Sequence, residues 1–105
     1  MAWIFLLTAG ALEVAWATGL KKLASGFSWT LGVVTVVAMI ASLIALYAAM
    51  SRLPLGIAYP IWTGIGSVGA VALGVLAFGQ PLTATTLLGV AFLLVGMLIL
   101  GADAH

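Results

Sequence analysis

Long apolar stretches alternate with short polar breaks along this 105-residue chain. The four stretches cover roughly residues 2–20, 30–50, 56–78 and 83–101. Each holds 19 to 23 residues, and a helix of that length, rising 1.5 Å per residue, crosses the ~30 Å hydrocarbon layer of a bilayer. Turn-forming residues fill the breaks at Lys21–Gly26, Ser51–Pro54 and Gly79–Pro81. The pattern predicts four membrane-spanning helices, and connections this short predict an up-and-down series of antiparallel neighbours.

Composition supports this prediction. The chain is 66% hydrophobic and 5% charged, with a mean hydropathy of +1.40, whereas a soluble domain carries about 25% charged residues. The alternating pattern typical of transmembrane β-strands is missing. The first stretch lacks the basic n-region of a cleaved signal peptide and contains Glu13. We therefore expect an all-α membrane protein, with residues 1–105 forming a single four-helix transmembrane domain.

Charge and rare residue types exclude several classes of function. A net charge of +1 leaves no basic surface for nucleic acid. The chain has no cysteine, which rules out disulfides and thiolate metal sites. Its lone histidine, His105, ends the chain and is expected to be solvated. We therefore expect neither an enzyme nor a metal or cofactor site.

Positive charge in the connections does not select a membrane orientation. Lys and Arg are enriched in the cytoplasmic loops of membrane proteins. Here Lys21 and Lys22 follow the first stretch, whereas Arg52 and the terminal amine lie on the opposite side. A difference this small leaves two interpretations open: one preferred orientation, or dual topology with copies inserted both ways.

One carboxylate, Glu13, interrupts the apolar pattern. The other charged residues lie at the ends of the stretches: Lys21, Lys22, Arg52 and Asp103. Glu13 lies 11 residues beyond Ala2, or about 16 Å along a helix, close to the bilayer midplane. An ionised carboxylate there costs at least ~2.5 kcal/mol. We interpret Glu13 as a group that binds a proton or pairs with a cation; the alternative is a permanently protonated acid bonded to a neighbouring helix.

Residues three and four positions away share the helix face of Glu13. Gly10 and Ala9 leave room beside the carboxylate. Trp16 is placed either to wall a cavity or to donate its indole N–H to the carboxylate. Because tryptophan prefers membrane interfaces, one this deep suggests a role in a site, with packing against lipid as the alternative.

A second polar face appears in the third stretch. Tyr59, Trp62, Thr63 and Gly66 follow one another at i, i+3, i+4 and i+7. Aromatic walls over a carboxylate make a good cation site, through charge pairing and cation–π attraction. We therefore predict that this face lines a site with Glu13, although an aromatic stripe at this spacing also occurs in ordinary helix packing.

The second stretch contributes Ser42, an isolated hydroxyl, with Met39 about one turn before it. A lone serine in a membrane helix usually hydrogen-bonds to the backbone of its own helix. On these residues alone we expect that local bond, and a role in the site is the alternative.

Glycines mark close contacts and flexible points. Gly64 and Gly66 together permit bending of the third helix. Gly89 and Gly96 are seven residues apart and share one face of the fourth helix, which has no polar residue in its core and favours packing or oligomerisation. One carboxylate in four short helices suggests a site made by two copies. Two Glu13 side chains would then face one cavity and titrate as a coupled pair.

Two stretches, Gly10–Ala17 around Glu13 and Leu53–Gly66, together resemble the small multidrug resistance family of bacterial exporters. The resemblance covers essentially the whole chain. It implies an antiparallel homodimer with dual topology in the bacterial inner membrane. It also implies proton-coupled export of small organic cations, with proton and cation competing for the paired Glu13 side chains. The resemblance further assigns Gly64 and Gly66 to a kink in the third helix, and Gly89 and Gly96 to the dimer contact.

Within that family, Gly10, Trp16, Met39 and Ser42 resemble the guanidinium exporters. The quaternary-ammonium exporters have a small residue in place of Trp16 and a tyrosine in place of Met39. Guanidinium is planar and rich in N–H donors, so it suits a tight site with carboxylate and hydroxyl acceptors. The fit implies that Trp16 and Ser42 support the cation at Glu13.

The same resemblance implies that Tyr59 gates the site or bonds Glu13, and that Trp62 and Thr63 line it. Two departures leave a broader substrate range open. Pro60 replaces the usual alanine and removes a helical hydrogen bond. The lysine often found near the end of the fourth helix is also absent from Leu100–Ala102. A strict heterodimer partner is another possibility.

Three alternatives to a guanidinium exporter stay open at this point. The first is a quaternary-ammonium or multidrug exporter of the same fold. The second is a rotor-ring proteolipid, which also buries a carboxylate among glycine-rich helices, although four spans argue against it. The third is a non-transporting assembly or anchoring subunit, in which replacement of Glu13 would leave function intact.

Overall fold

The computed structural model describes residues 1–103, and within that range the chain forms four successive helices. They are α1 (Ala2–Ser25), α2 (Trp29–Met50), α3 (Leu55–Ala77) and α4 (Ala84–Ala102). All four are long and apolar enough to cross a membrane. The prediction of four spanning helices is therefore confirmed. The expectation for His105 lies outside the described residues.

The helix ends follow from local chemistry. The Ser28 hydroxyl accepts the Leu31 N–H at 3.4 Å at the start of α2, and the Thr83 hydroxyl accepts the Thr86 N–H at 3.1 Å at the start of α4. Such side-chain acceptors satisfy amides that a helix leaves free at its first turn. After α3 the chain turns at Gly79, whose φ of +69° favours a residue without a side chain.

Helix α1 is central, because it packs against both α2 and α3. In the part of the chain that the structure describes, α4 packs mainly against α3, meets α1 where Trp3 lies beside Gly101, and has no buried residue. The chain measures 44 × 35 × 16 Å, so it is a slab little thicker than one helix, whose diameter is about 10–12 Å.

Pro60 lies inside α3, and the helix continues through it to Ala77. Proline has no N–H, so the Gly56 carbonyl loses its helical partner. Helix α3 likewise continues without a break through Gly64 and Gly66. The bend expected at these two glycines stays a prediction.

Candidate functional site

Three helices meet at one buried backbone carbonyl, that of Ala9 in α1. The Ser42 hydroxyl of α2 donates to this oxygen at 2.7 Å, and the Trp62 indole N–H of α3 donates to it at 3.2 Å. The same indole N–H also lies 3.1 Å from the Ser42 hydroxyl oxygen. All three residues are buried. The structure therefore brings Ser42 and Trp62 together. The prediction that Ser42 bonds to the backbone of its own helix is wrong, because its hydroxyl donates to a carbonyl of α1.

This junction bears directly on Glu13. In an α-helix the carbonyl of residue 9 also accepts the N–H of residue 13, four positions later. The Ser42 and Trp62 donors thus converge on the carbonyl that holds the Glu13 amide. Within the hydrocarbon layer no water is available to accept hydrogen bonds from Ser42 and Trp62. Breaking the junction would leave both donors unbonded, so the junction holds α2 and α3 against the turn of α1 that precedes the carboxylate.

The Glu13 side chain lies against the backbone of α3 at Gly66. A Cβ built on Gly66 would collide with the carboxyl group and would lie 2.9 Å from Glu13 Cγ. Within residues 1–103, the buried Oε1 of Glu13 has no hydrogen-bond partner. The sequence predicted Gly66 as a flexible point and as part of the face that lines a site with Glu13. Its position one turn beyond Trp62 was the available signal for this close approach.

Gly10 also allows α1 and α3 to pack closely. A Cβ at Gly10 would lie 2.5 Å from Ile65 Cγ2 and 2.8 Å from Ile65 Cβ. The space beside Gly10 is therefore filled by Ile65, and Gly10 acts here as a contact between helices. Its predicted place in the lining of a cation site stays a prediction.

Trp16 and Met39 lie together in a different place, a cleft of about 450 Å³ between α1 and α2. In the described range the Trp16 indole N–H is buried without a hydrogen-bond partner, as is Oε1 of Glu13. The two groups therefore do not bond to each other within one chain.

Tyr59 lies on the open face of α3, with 49% of its surface exposed. Its ring centroid is 5.4 Å from that of Trp62, so the exposed Tyr59 ring packs against the buried Trp62 ring. The Thr63 hydroxyl donates to the carbonyls of Tyr59 at 3.1 Å and of Pro60 at 3.0 Å. Thr63 is thus bonded within its own helix, next to the proline that interrupts the backbone ladder.

Comparison with known proteins gives the family of the chain. The sequence model of the family described as Small Multidrug Resistance protein matches residues 1–93. The chain belongs to the small multidrug resistance family. Curated relatives named guanidinium exporter are 46% identical over 106 residues in Salmonella typhimurium LT2 and in Escherichia coli O6:H1, and 43% identical over 105 residues in Citrobacter freundii. In each case the match covers all of both chains.

This membership has two consequences. With its four apolar helices, this small multidrug resistance protein is a multi-pass protein of the bacterial inner membrane. It is not a rotor-ring proteolipid, which the buried carboxylate alone had left open.

In this family member, Gly89 and Gly96 face open space. A Cβ at either position would meet no atom within 4 Å. Both glycines line a shallow groove between α3 and α4, together with Pro60 and Gly64. The Gly64 position packs against Met97 of α4, where an added Cβ would lie 2.6 Å from the sulfur. Gly64 therefore supports contact within the chain, whereas Gly89 and Gly96 leave a surface free for another helix.

These parts define what the site offers chemically. The Glu13 carboxylate sits near the middle of α1, one of its oxygens has no partner in residues 1–103, and aromatic side chains lie on the adjacent helix. Carboxylate and aromatic faces both attract cations. The described residues hold no group of three His, Cys, Asp or Glu that would suit a metal ion. The arrangement suits a proton or a small organic cation.

Proposed function

We propose that this protein is a proton-coupled antiporter that exports guanidinium or small guanidinyl cations across the bacterial inner membrane. The observation that carries the proposal is Glu13, a midplane carboxylate with an oxygen that lacks a hydrogen-bond partner in the described residues. The full-length similarity to relatives named guanidinium exporter supports the choice of cation.

Exchange of a proton for a cation follows because both ligands bind the same carboxylate, that of Glu13. Glu13 is neutral when it binds a proton and forms a neutral pair when it binds a cation, and either state avoids the ~2.5 kcal/mol or more that a bare carboxylate costs in the membrane. Because both ligands use the same group, binding of one requires release of the other. Opposite movement of proton and cation is the consequence.

The shape of the donor set favours guanidinium. Its flat face matches the exposed ring of Tyr59, which Trp62 supports from behind, and its N–H groups match the carboxylate oxygens of Glu13. Ser42 lies within the same layer of the membrane, where its oxygen already accepts the Trp62 N–H. A bulky quaternary ammonium offers no N–H to these acceptors.

An antiparallel homodimer completes the proposal. One chain is 16 Å thick, leaves α4 uncovered and leaves half of Tyr59 exposed. A second copy packed along the open glycines Gly89 and Gly96 covers these surfaces and brings a second Glu13 to the same cavity. The near balance of charge at the two ends of the helices, set out above, favours insertion of the two copies in opposite orientations.

Solid-supported membrane electrophysiology on reconstituted protein tests the proposal. Guanidinium and methylguanidinium pulses are expected to produce currents that Glu13→Gln abolishes, since the amide binds neither a proton nor a cation. Asp103→Asn is the matched control, because Asp103 is the other acidic residue of the chain and is exposed at the end of α4. Wild-type currents in Glu13→Gln would show that the protein works without this carboxylate and would refute the mechanism.

Two further arms separate the alternatives. Tetraethylammonium currents as large as those of guanidinium would point to a quaternary-ammonium exporter, which Pro60 next to Tyr59 leaves open. Acidification of weakly buffered liposomes on cation exchange tests proton coupling. Cross-linking in lipid that found only functional monomers would refute the dimer.

A further inference from the structure

A cavity of about 440 Å³ lies between α1 and α3 at the end of the chain that carries Lys21. Its lining includes Ala17, Thr18, Lys21, Ala70, Gly74 and Gln80. It differs from the Trp16 cleft, whose lining is almost wholly apolar, in having polar groups along its walls. The sequence indicated Lys21 only as an end-of-helix charge.

The cavity begins one helical turn beyond the Glu13 contact. On α1, Ala17 is one turn beyond Glu13, and on α3, Ala70 is one turn beyond Gly66. The next turn brings Lys21 opposite Gly74. The small side chains at positions 17, 70 and 74 keep the groove open between the carboxylate and the membrane surface.

Two neutral acceptors and one cation line this groove. The Thr18 hydroxyl donates its hydrogen bond to the Val14 carbonyl at 2.8 Å, so the lone pairs of its oxygen are available to accept one. The Gln80 amide oxygen lies over Gly74, where a Cβ would be 2.5 Å away. Lys21 supplies a positive charge eight residues beyond Glu13, or about 12 Å along the helix.

We infer that this cavity is the vestibule through which the cation passes between Glu13 and the membrane surface, and that Lys21 lowers the dwell time of the cation there. The inference rests on the proposed function and deepens it. Thr18 and Gln80 replace part of the water around the N–H groups of the cation. The Lys21 ammonium repels the cation, so the vestibule conducts it without trapping it.

Charge repulsion at ~12 Å, for an effective permittivity between about 20 and 80, changes affinity by about twofold to tenfold. Lys21→Gln is therefore expected to lower the half-saturating guanidinium concentration by about twofold to tenfold at low salt, and to lower the maximal rate because release slows. Raising the ionic strength shrinks the difference. Lys21→Arg keeps the charge and is expected to behave as the wild type.

Lys22→Gln is the matched control. It removes the same charge at the same membrane surface, and with it the same bias on orientation, but Lys22 does not line the cavity. Equal effects of Lys21→Gln and Lys22→Gln, or no effect of Lys21→Gln, would overturn the inference. If the wild type transports guanidinium but the two lysine variants behave alike, only the vestibule inference fails. If the wild type transports no cation, the proposed function fails as well, so the two failures are distinguishable.

Accessibility gives a second measurement that does not depend on rates. The chain has no cysteine of its own, so single cysteines are clean reporters. Ala17→Cys is expected to react with a water-soluble cationic thiol reagent and to be protected by guanidinium. Ala15→Cys, outside the cavity lining and exposed on the surface of α1, is the control and is expected to stay unreactive in lipid. Equal reactivity of the two positions would overturn the vestibule.

Discussion

The contact between Glu13 and Gly66 leaves no space for a methyl group, which makes Gly66→Ala a sharp perturbation. Ordinary contacts begin at 3.4 Å, which is 0.5 Å more than the 2.9 Å between the added Cβ and Glu13 Cγ, and the carboxyl group lies closer still. The variant either strains the α1–α3 interface, at about 1–3 kcal/mol, or makes the Glu13 side chain rotate away. In both cases the carboxylate leaves its place.

A displacement of about 1 Å at a reacting group costs enzymes up to about 100-fold in rate. We therefore expect guanidinium currents of Gly66→Ala to fall by at least ~10-fold, while size-exclusion profiles in detergent show folded protein. Gly56→Ala is the matched control in the same helix, because a Cβ there meets no atom within 4 Å. Wild-type currents in Gly66→Ala would refute the reasoning, since they would show that Glu13 works without lying against the α3 backbone.

Two further substitutions test the packing around the site. Ser42→Ala removes a buried hydroxyl but leaves the Trp62 N–H bonded to the Ala9 carbonyl at 3.2 Å; we expect a loss of about 1–2 kcal/mol in a lipid-based unfolding assay, near the upper end for interhelical hydrogen bonds, and no loss would contradict the junction. Gly10→Ala brings a methyl to within 2.8 Å of Ile65 Cβ, which rotation about χ1 does not move. We expect destabilisation by about 1–3 kcal/mol in the same assay. Ile65→Ala in that background removes the 2.5 Å contact with Cγ2 but keeps the contact with Cβ, so it is expected to restore only part of the lost stability.

The spans could be predicted from the sequence because hydrocarbon length fixes how many apolar residues a helix needs. The ends were less predictable. The first apolar stretch ends at Leu20, yet α1 continues to Ser25. Lysine is a good helix former, so the polarity of Lys21 and Lys22 marks the membrane boundary without ending the helix. That extension is what places Lys21 on the wall of a cavity.

The site was predictable in its residue types and only partly in its contacts. Glu13, Ser42 and Trp62 stand out because a polar group in lipid needs a partner. Which partner each finds depends on how the helices cross, and a single sequence does not give that register. The junction at the Ala9 carbonyl illustrates this, because a backbone oxygen leaves no mark in the sequence. The close approach at Gly66 depends on the same register.

The polar groups of the membrane layer fall into two sets, and the difference between them bears on the proposed site. Ser42 and Trp62 satisfy each other and Ala9 within the chain. In residues 1–103, Glu13 Oε1 and the Trp16 N–H find no partner, and Tyr59 faces outward. Leaving such groups unbonded in hydrocarbon costs several kcal/mol each. The Thr35 hydroxyl oxygen also lacks a partner in these residues, although it lies against Gly19 and outside the proposed site. A missing partner therefore does not by itself mark a ligand, and what distinguishes Glu13 is that it is the one acidic residue within a membrane-spanning helix, which is the group that the proposed exporter needs for its cation.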